Sequence, residues 1–158
     1  SVEGGVTEVI YTDPADAKRF VEETGIDTLA VAIGTAHGIY PKGIKPKLRM
    51  DVLESIKEVV DIPLVLHGGS ANPDEEIAQA VKIGIQKVNI SSDYKYAYYK
   101  KCREILANTE WWDPNVINPE CIEAAKEVIK FKMNLFNSIG KAKLYREAAT
   151  PAWRAEFN

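Results

Sequence analysis

Three short strand-like runs, each following a segment with helical periodicity, do most to limit how this chain can fold. They occupy residues 28–33, 62–67 and 86–90, at intervals of roughly 25 to 35 residues. The first two are apolar almost without interruption, which is typical of strands buried on both faces of a parallel sheet. Because helical segments connect the runs, the pattern predicts consecutive right-handed βα units in an α/β fold.

The helices between and after these runs are recognised by their ends. One is predicted to begin at Pro14, directly after the capping residue Asp13, and to stop at Gly25. Asn72 is predicted to cap a later helix that closes at Gly84. The other predicted helices cover residues 51–60, 94–107 and 121–138, with a loop at 111–119 before the last of them.

The length and the net charge of the chain indicate one globular domain with no general affinity for polyanions. A chain of 158 residues buries a sizeable core, and we expect βα units in residues 1–93 and helices with a tail in residues 94–158. The net charge of −3 does not attract nucleic acid or an anionic membrane, so residues 95–101, rich in Lys and Tyr, are interpreted as a solvated helix face. No apolar run is long enough to span a bilayer.

The cysteines indicate a reducing compartment. Cys102 and Cys121 lie in helical segments with no other Cys or His close by in the sequence. We interpret them as reduced, buried thiols and therefore expect the protein in the cytoplasm.

Small and polar residues gather just after the strand-like runs. Parallel strands place their carboxyl ends at one edge of the sheet, where α/β folds carry their sites. His37 and His67 both fall there, and two neutral imidazoles on adjacent strands can share one divalent, zinc-like ion. The neighbouring N–H and O–H groups suit a phosphate. Those groups belong to Gly38, Gly68, Gly69, Ser70, Asn89, Ser91 and Ser92.

A zinc site built from this chain alone lacks a ligand. A catalytic zinc takes three protein ligands and keeps one position open, whereas the sequence contains two histidines. Glu3 and Asp93 could each supply an oxygen, although neither directly ends a strand. The alternative interpretation is that both histidines are core residues beside ordinary glycine turns.

In this order, the residues closely resemble the class II ketose-bisphosphate aldolases, the family of fructose- and tagatose-bisphosphate aldolases. The resemblance extends from near the start of the chain to about Tyr145. It is specific because long blocks match in register. The matching blocks are residues 11–14, 29–38, 63–70 and 87–92.

The resemblance implies a (β/α)8 barrel, of which this chain carries roughly the carboxyl-terminal half. His37 and His67 would bind the catalytic zinc, which polarises the ketose carbonyl as the C3–C4 bond breaks. The dihydroxyacetone phosphate half of the substrate would contact two turns and one glycine, with a sodium or potassium ion near the phosphate. A homo-oligomer, such as a dimer, is also implied. The implied substrate contacts are Gly38, Gly68, Gly69, Ser70, Asn89, Ile90, Ser91 and Ser92.

The sequence departs from the family pattern at its amino-terminal end. Family members carry a further zinc histidine beside a catalytic aspartate, and nothing in this chain matches that pair. We therefore expect an amino-terminal segment to complete the barrel and the active site, and no meaningful turnover from residues 1–158 alone. Glu3 is a candidate remnant of the family's mobile acidic loop, which moves a proton; a solvated loop acid is the alternative.

Two other functions remain open at this point. One is a non-catalytic phosphosugar-binding or scaffold subunit with the same fold. The other is a Schiff-base aldolase, which needs a lysine at the carboxyl end of a strand. Lys87 begins a strand instead, and Lys42 and Lys45 lie in a loop. The sequence does not distinguish fructose from tagatose bisphosphate. Exposed helix lysines are usually solvated, but two on the last long helix are candidates for the second phosphate, Lys130 and Lys132.

Overall fold

The computed structural model describes residues 10–35, 47–108 and 110–146, with side chains to residue 144. These residues form an α/β structure in which helices alternate with short strands and two long helices follow. The elements are α1 (Pro14–Thr24), β1 (Leu29–Ala30), α2 (Met50–Val59), β2 (Leu64–Leu66), α3 (Asp74–Ile83), β3 (Ile85–Val88), α4 (Ser92–Ala107), α5 (Pro114–Leu135) and α6 (Lys143–Arg146).

The strands of the described residues form one sheet in the order β1-β2-β3, and both pairings are parallel. Leu29 pairs with Leu64, and Leu66 pairs with Val88. The predicted βα units with parallel strands are thus confirmed. All three carboxyl ends lie at the same edge of the sheet.

The strands are shorter than the sequence predicts, and two residues beyond β1 bond to loops. After β1 ends at Ala30, Val31 N still donates to Val65 O at 3.1 Å. Ala32 O accepts from Thr12 N at 2.9 Å, and Ile33 O accepts from Arg49 N at 2.8 Å. Val31 therefore still bonds to β2, whereas residues 32 and 33 bond to neighbouring loops in place of the longer ladder that the prediction assumed.

Helix α1 is confirmed at both ends. The carboxylate of Asp13 accepts hydrogen bonds from Ala15 N at 2.8 Å and Asp16 N at 3.1 Å. Gly25 ends the helix in the left-handed conformation, with φ of 63°, and its N–H donates to Val21 O. Local capping chemistry predicted these ends because it involves only neighbouring residues.

The predicted loop over residues 111–119 is wrong in its second half. Helix α5 begins at Pro114, where Asp113 caps it by accepting from Asn115 N at 2.9 Å. Pro119 lies inside the helix rather than before it. The pair Asp113 and Pro114 carries the same start signal as Asp13 and Pro14, whereas the prediction took Pro119 as the boundary.

The core lies between the sheet and helices α2 and α3. Leu64 and Leu66 of β2, Leu53 and Ile56 of α2, and Ile77 of α3 are all fully buried. Helices α4 and α5 pack along one another at the carboxyl-terminal side of this unit. None of the helices in the described ranges is both long and apolar enough to cross a bilayer.

Packing of α4 against α5 brings the two cysteines together. Both are free thiols, and Cys121 is fully buried. Burial, and then the neighbouring Cys102, raise the pKa of the Cys121 thiol. Cys121 is therefore a weak nucleophile that serves packing.

Replacing Ile56 by alanine is expected to lower the free energy of unfolding by about 2–5 kcal/mol, because it empties a fully buried position. Val59→Ala on the same helix is the matched control, since this side chain is 40% exposed, and we expect a change within about 0.5 kcal/mol. Denaturant unfolding of the full-length protein measures both. Equal losses would contradict the placement of the core.

Candidate functional site

His67 stands at the carboxyl edge of the sheet, one residue beyond β2. Its side chain is on the exposed surface, while its carbonyl oxygen accepts a hydrogen bond from Thr35 Oγ1 at 2.7 Å. Asn89, which follows β3, places its amide nitrogen 3.0 Å from His67 Nδ1 and 3.4 Å from Nε2. The structure thus brings His67 and Asn89 together, and two neutral side chains hold the backbone and the ring of the histidine.

One predicted zinc ligand can be placed here, and it fits that role chemically. An exposed imidazole at a strand end is a donor that zinc accepts. The amide nitrogen of Asn89 lies within 3.4 Å of both ring nitrogens and limits the orientation of the ring. His37, Gly38 and Glu3 lie outside the described residues. Within the described ranges, no three His, Cys, Asp or Glu side chains form a group that could hold a metal.

The turn after β2 requires a glycine at position 69. A Cβ atom there would lie 2.7 Å from Val88 Cγ1, 3.0 Å from Ile90 Cδ1 and 3.2 Å from Asn89 O. Without that atom, the turn lies directly against the end of β3, and Gly69 N donates to Asn89 O at 3.1 Å. In this structure Gly69 and Ile90, both predicted substrate contacts, form the packing between two turns.

Ser70 is 4% exposed and connects those two turns. Its Oγ accepts hydrogen bonds from Ser91 N at 3.2 Å and Ser92 N at 3.1 Å, at the start of α4. The sequence predicted that these serines contact a phosphate. Here Ser70 is the acceptor for two amide groups at the helix N-terminus, and its hydroxyl hydrogen remains a donor.

Asn72 does not cap α3 as predicted. No side-chain bond caps that helix, which starts after Pro73. The buried amide of Asn72 instead donates to Gly68 O at 2.7 Å and Ser70 O at 3.0 Å, closing the turn on itself. Its Oδ1 is buried and has no hydrogen-bond partner among the described residues. The missed signal is that Asn commonly bonds to the backbone of its own turn.

A charged cluster lies behind the same turn. Asp93 Oδ1 accepts from Ala71 N at 3.0 Å, and its Oδ2 lies 3.3 Å from Lys132 Nζ. Lys132 Nζ also donates to Asp74 Oδ1 at 2.8 Å. Asp93, predicted as a candidate zinc ligand, is therefore engaged by a backbone amide and an ammonium group.

Lys132 departs from the predicted solvated helix face. The residue is 9% exposed, whereas Lys130 is exposed and pairs with Glu127 at 2.7 Å, which raises the Lys130 pKa. A sequence signal for the burial of Lys132 exists in the helical period. The buried residues of α5 repeat on one face, and they are Ile117, Cys121, Ala125 and Lys132.

The match to known proteins agrees with this architecture. Residues 1–141 match the family model described as "Fructose-bisphosphate aldolase class-II". The fold is similar to that of the YdjI aldolase from Escherichia coli K12, at 39% identity and a TM-score of 0.74, over 84% of this chain and 48% of that one. A Coccidioides immitis protein assigned as a fructose-1,6-biphosphate aldolase is 31% identical, with a TM-score of 0.74 over 91% of this chain and 51% of its own.

A fructose-bisphosphate aldolase from Campylobacter jejuni, at 24% identity, shares the fold with a TM-score of 0.67 over 87% of this chain and 49% of its own. The described residues thus have the fold of a partial (β/α)8 barrel. The chain belongs to the class II fructose-bisphosphate aldolase family. It spans about half the length of the solved structures that it matches.

Replacing Ser70 by alanine is expected to lower the free energy of unfolding by about 1–2 kcal/mol, because two partly buried amide groups lose their acceptor. Ser55→Ala is the matched control. Its exposed hydroxyl only bonds to Asp51 O within α2, so a change within about 0.5 kcal/mol is expected. Thermal or denaturant unfolding distinguishes the two. Similar small changes for both would show that Ser70 does not join the turns.

Proposed function

We propose that this chain supplies the carboxyl-terminal half of the active site of a zinc-dependent aldolase. The reaction is the reversible cleavage of a ketose bisphosphate, such as fructose or tagatose 1,6-bisphosphate, into dihydroxyacetone phosphate and an aldehyde. The observation that carries the proposal is the common edge where His67 meets the two joined turns, in a chain of the class II aldolase family.

His67 and His37 would hold the zinc, together with a ligand from the rest of the barrel. When bound, the zinc would act as a Lewis acid on the ketose carbonyl. The contribution of this chain is to keep the His67 ring in one place. Thr35 Oγ1 donates to the backbone carbonyl of His67, and the amide nitrogen of Asn89 lies against the ring, so both contacts limit where the imidazole can point.

The phosphate of the dihydroxyacetone half would bind where the β2 turn meets the start of α4. A helix of 16 residues concentrates positive potential at its N-terminus, which favours an anion there. Two amide groups already donate to Ser70 Oγ, and this polarisation makes its hydroxyl a stronger donor toward a phosphate oxygen. Gly38 would add a further contact, and a sodium or potassium ion would balance the phosphate charge.

The proton transfer and the rest of the zinc site would come from groups outside the described residues or outside this chain. Glu3 would move the proton that accompanies bond cleavage. The rest of the barrel would bring the third zinc ligand and a catalytic aspartate. The complete enzyme would work in the cytoplasm as a homo-oligomer.

The metal test uses the full-length protein and a single substitution. His67→Ala is expected to remove stoichiometric zinc and to lower kcat/KM for ketose bisphosphate cleavage at least about 100-fold, because one of few ligands is lost. Lys126→Ala is the control, since Lys126 is an exposed side chain that pairs with Glu123. It is expected to keep both zinc and activity.

Other outcomes identify the rival functions. A full-length protein that binds phosphosugar without zinc and without turnover would be a non-catalytic binding or scaffold subunit. Borohydride trapping of a substrate adduct would indicate a Schiff-base aldolase. Assays with fructose and tagatose bisphosphates, run side by side, determine the preferred ketose.

A further inference from the structure

Lys132 connects the N-termini of two helices behind the proposed phosphate site. Its Nζ lies 2.8 Å from Asp74 Oδ1 and 3.3 Å from Asp93 Oδ2. Asp74 is the first residue of α3, and Asp93 is the second residue of α4. Lys132 itself lies in the last turn of α5, so one ammonium group joins three helices.

The lysine side chain is 11% exposed and the Asp93 side chain 19% exposed, so water screens this contact poorly. Both acids are within hydrogen-bonding or ion-pair distance of the same Nζ atom. Removing the ammonium would leave two carboxylates close together without the positive charge between them. Asp93 is the less exposed of the two, so it would bear more of the resulting strain.

Asp93 in turn controls the conformation of the turn that follows β2. Its Oδ1 accepts from the N–H of Ala71 at 3.0 Å. Ala71 has a φ of 58°, which is unfavourable for a residue with a side chain, so this bond offsets part of the strain in the backbone there. Ala71 directly follows Ser70, whose hydroxyl contacts the start of α4.

We propose that Lys132 is a positioning residue for phosphate binding, acting through Asp93 on the backbone of Ala71 and so on Ser70. This inference rests on the proposed function, since it assigns a role within the same site. Lys132 is not placed as a direct phosphate ligand, because two carboxylates already occupy its ammonium group. Its effect is to keep the phosphate-binding turn in its bound shape before the substrate arrives.

The first test measures the affinity of the full-length protein for inorganic phosphate, as a competitive inhibitor, in three variants. Lys132→Met, which keeps much of the side-chain length, is expected to weaken phosphate binding and to raise KM for the bisphosphate about tenfold, with a smaller change in kcat and no loss of zinc. Lys132→Arg is expected to restore most of the affinity. Lys126→Met, on the exposed face of the same helix, is expected to match the wild type.

A second test asks whether Lys132 acts through Asp93. Asp93→Asn keeps the shape of the side chain and one acceptor oxygen for Ala71 N, but it removes the charge that Lys132 holds. It is expected to weaken phosphate binding by itself. Adding Lys132→Met to Asp93→Asn is expected to cause little further loss, because the two residues act as one unit.

The outcomes separate this inference from the proposed function. Unchanged phosphate affinity in folded Lys132→Met, or fully additive losses in the double variant, overturns the inference while leaving the zinc and turnover results intact. If Lys132→Met does not fold, unchanged affinity in Asp93→Asn overturns it instead. A wild-type protein that binds neither zinc nor inorganic phosphate overturns both the inference and the function on which it rests.

Discussion

The structure depends on the bonds between the turn after β2 and the turn after β3. Gly69 N donates to Asn89 O, Ser70 Oγ accepts from Ser91 N and Ser92 N, and Ala71 N donates to Asp93. The strands that lead into these turns are only 3 and 4 residues long, so their own ladder is short. The position of His67 relative to Asn89 therefore follows from how the turns are joined as well as from strand pairing.

These bonds are possible because position 69 has no side chain. A Cβ atom there would come within 2.7 Å of Val88, and the turn would have to move away from β3. Ser70 and Ala71 would then lie too far from the start of α4 to keep their hydrogen bonds to it. Gly69 thus acts on the site by permitting close approach of the two turns. The side chains of Ser70, Asp93 and Lys132 then fix the geometry of the turns through their hydrogen bonds and ion pair.

Much of the fold, and the edge where His67 and Asn89 meet, could be predicted because the relevant physics is local or periodic. Asp13, Pro14 and Gly25 mark the ends of α1 through contacts within a few residues, and the parallel strands follow from their apolar runs. The prediction failed at Pro119 and at Asn72. In both cases two local signals competed, a helix start against a helix interruption and a helix cap against a turn closure. The bonds that prevailed are themselves local: Asp113 accepts from Asn115 N, and Asn72 donates to Gly68 O and Ser70 O.

By itself, the sequence determined that residues following neighbouring strands, such as His67 and Asn89, meet at the carboxyl edge, because parallel strands of one sheet all end on the same side. It could not determine how the edge residues divide their hydrogen bonds, or which carboxylates the buried Lys132 contacts. The contacts of Lys132 depend on the docking of α5 against the starts of α3 and α4, which brings together charges 39 and 58 residues apart in the chain. Only tertiary structure decides such contacts, because an isolated helix exposes every face to water and gives a lysine no reason to choose one carboxylate over another.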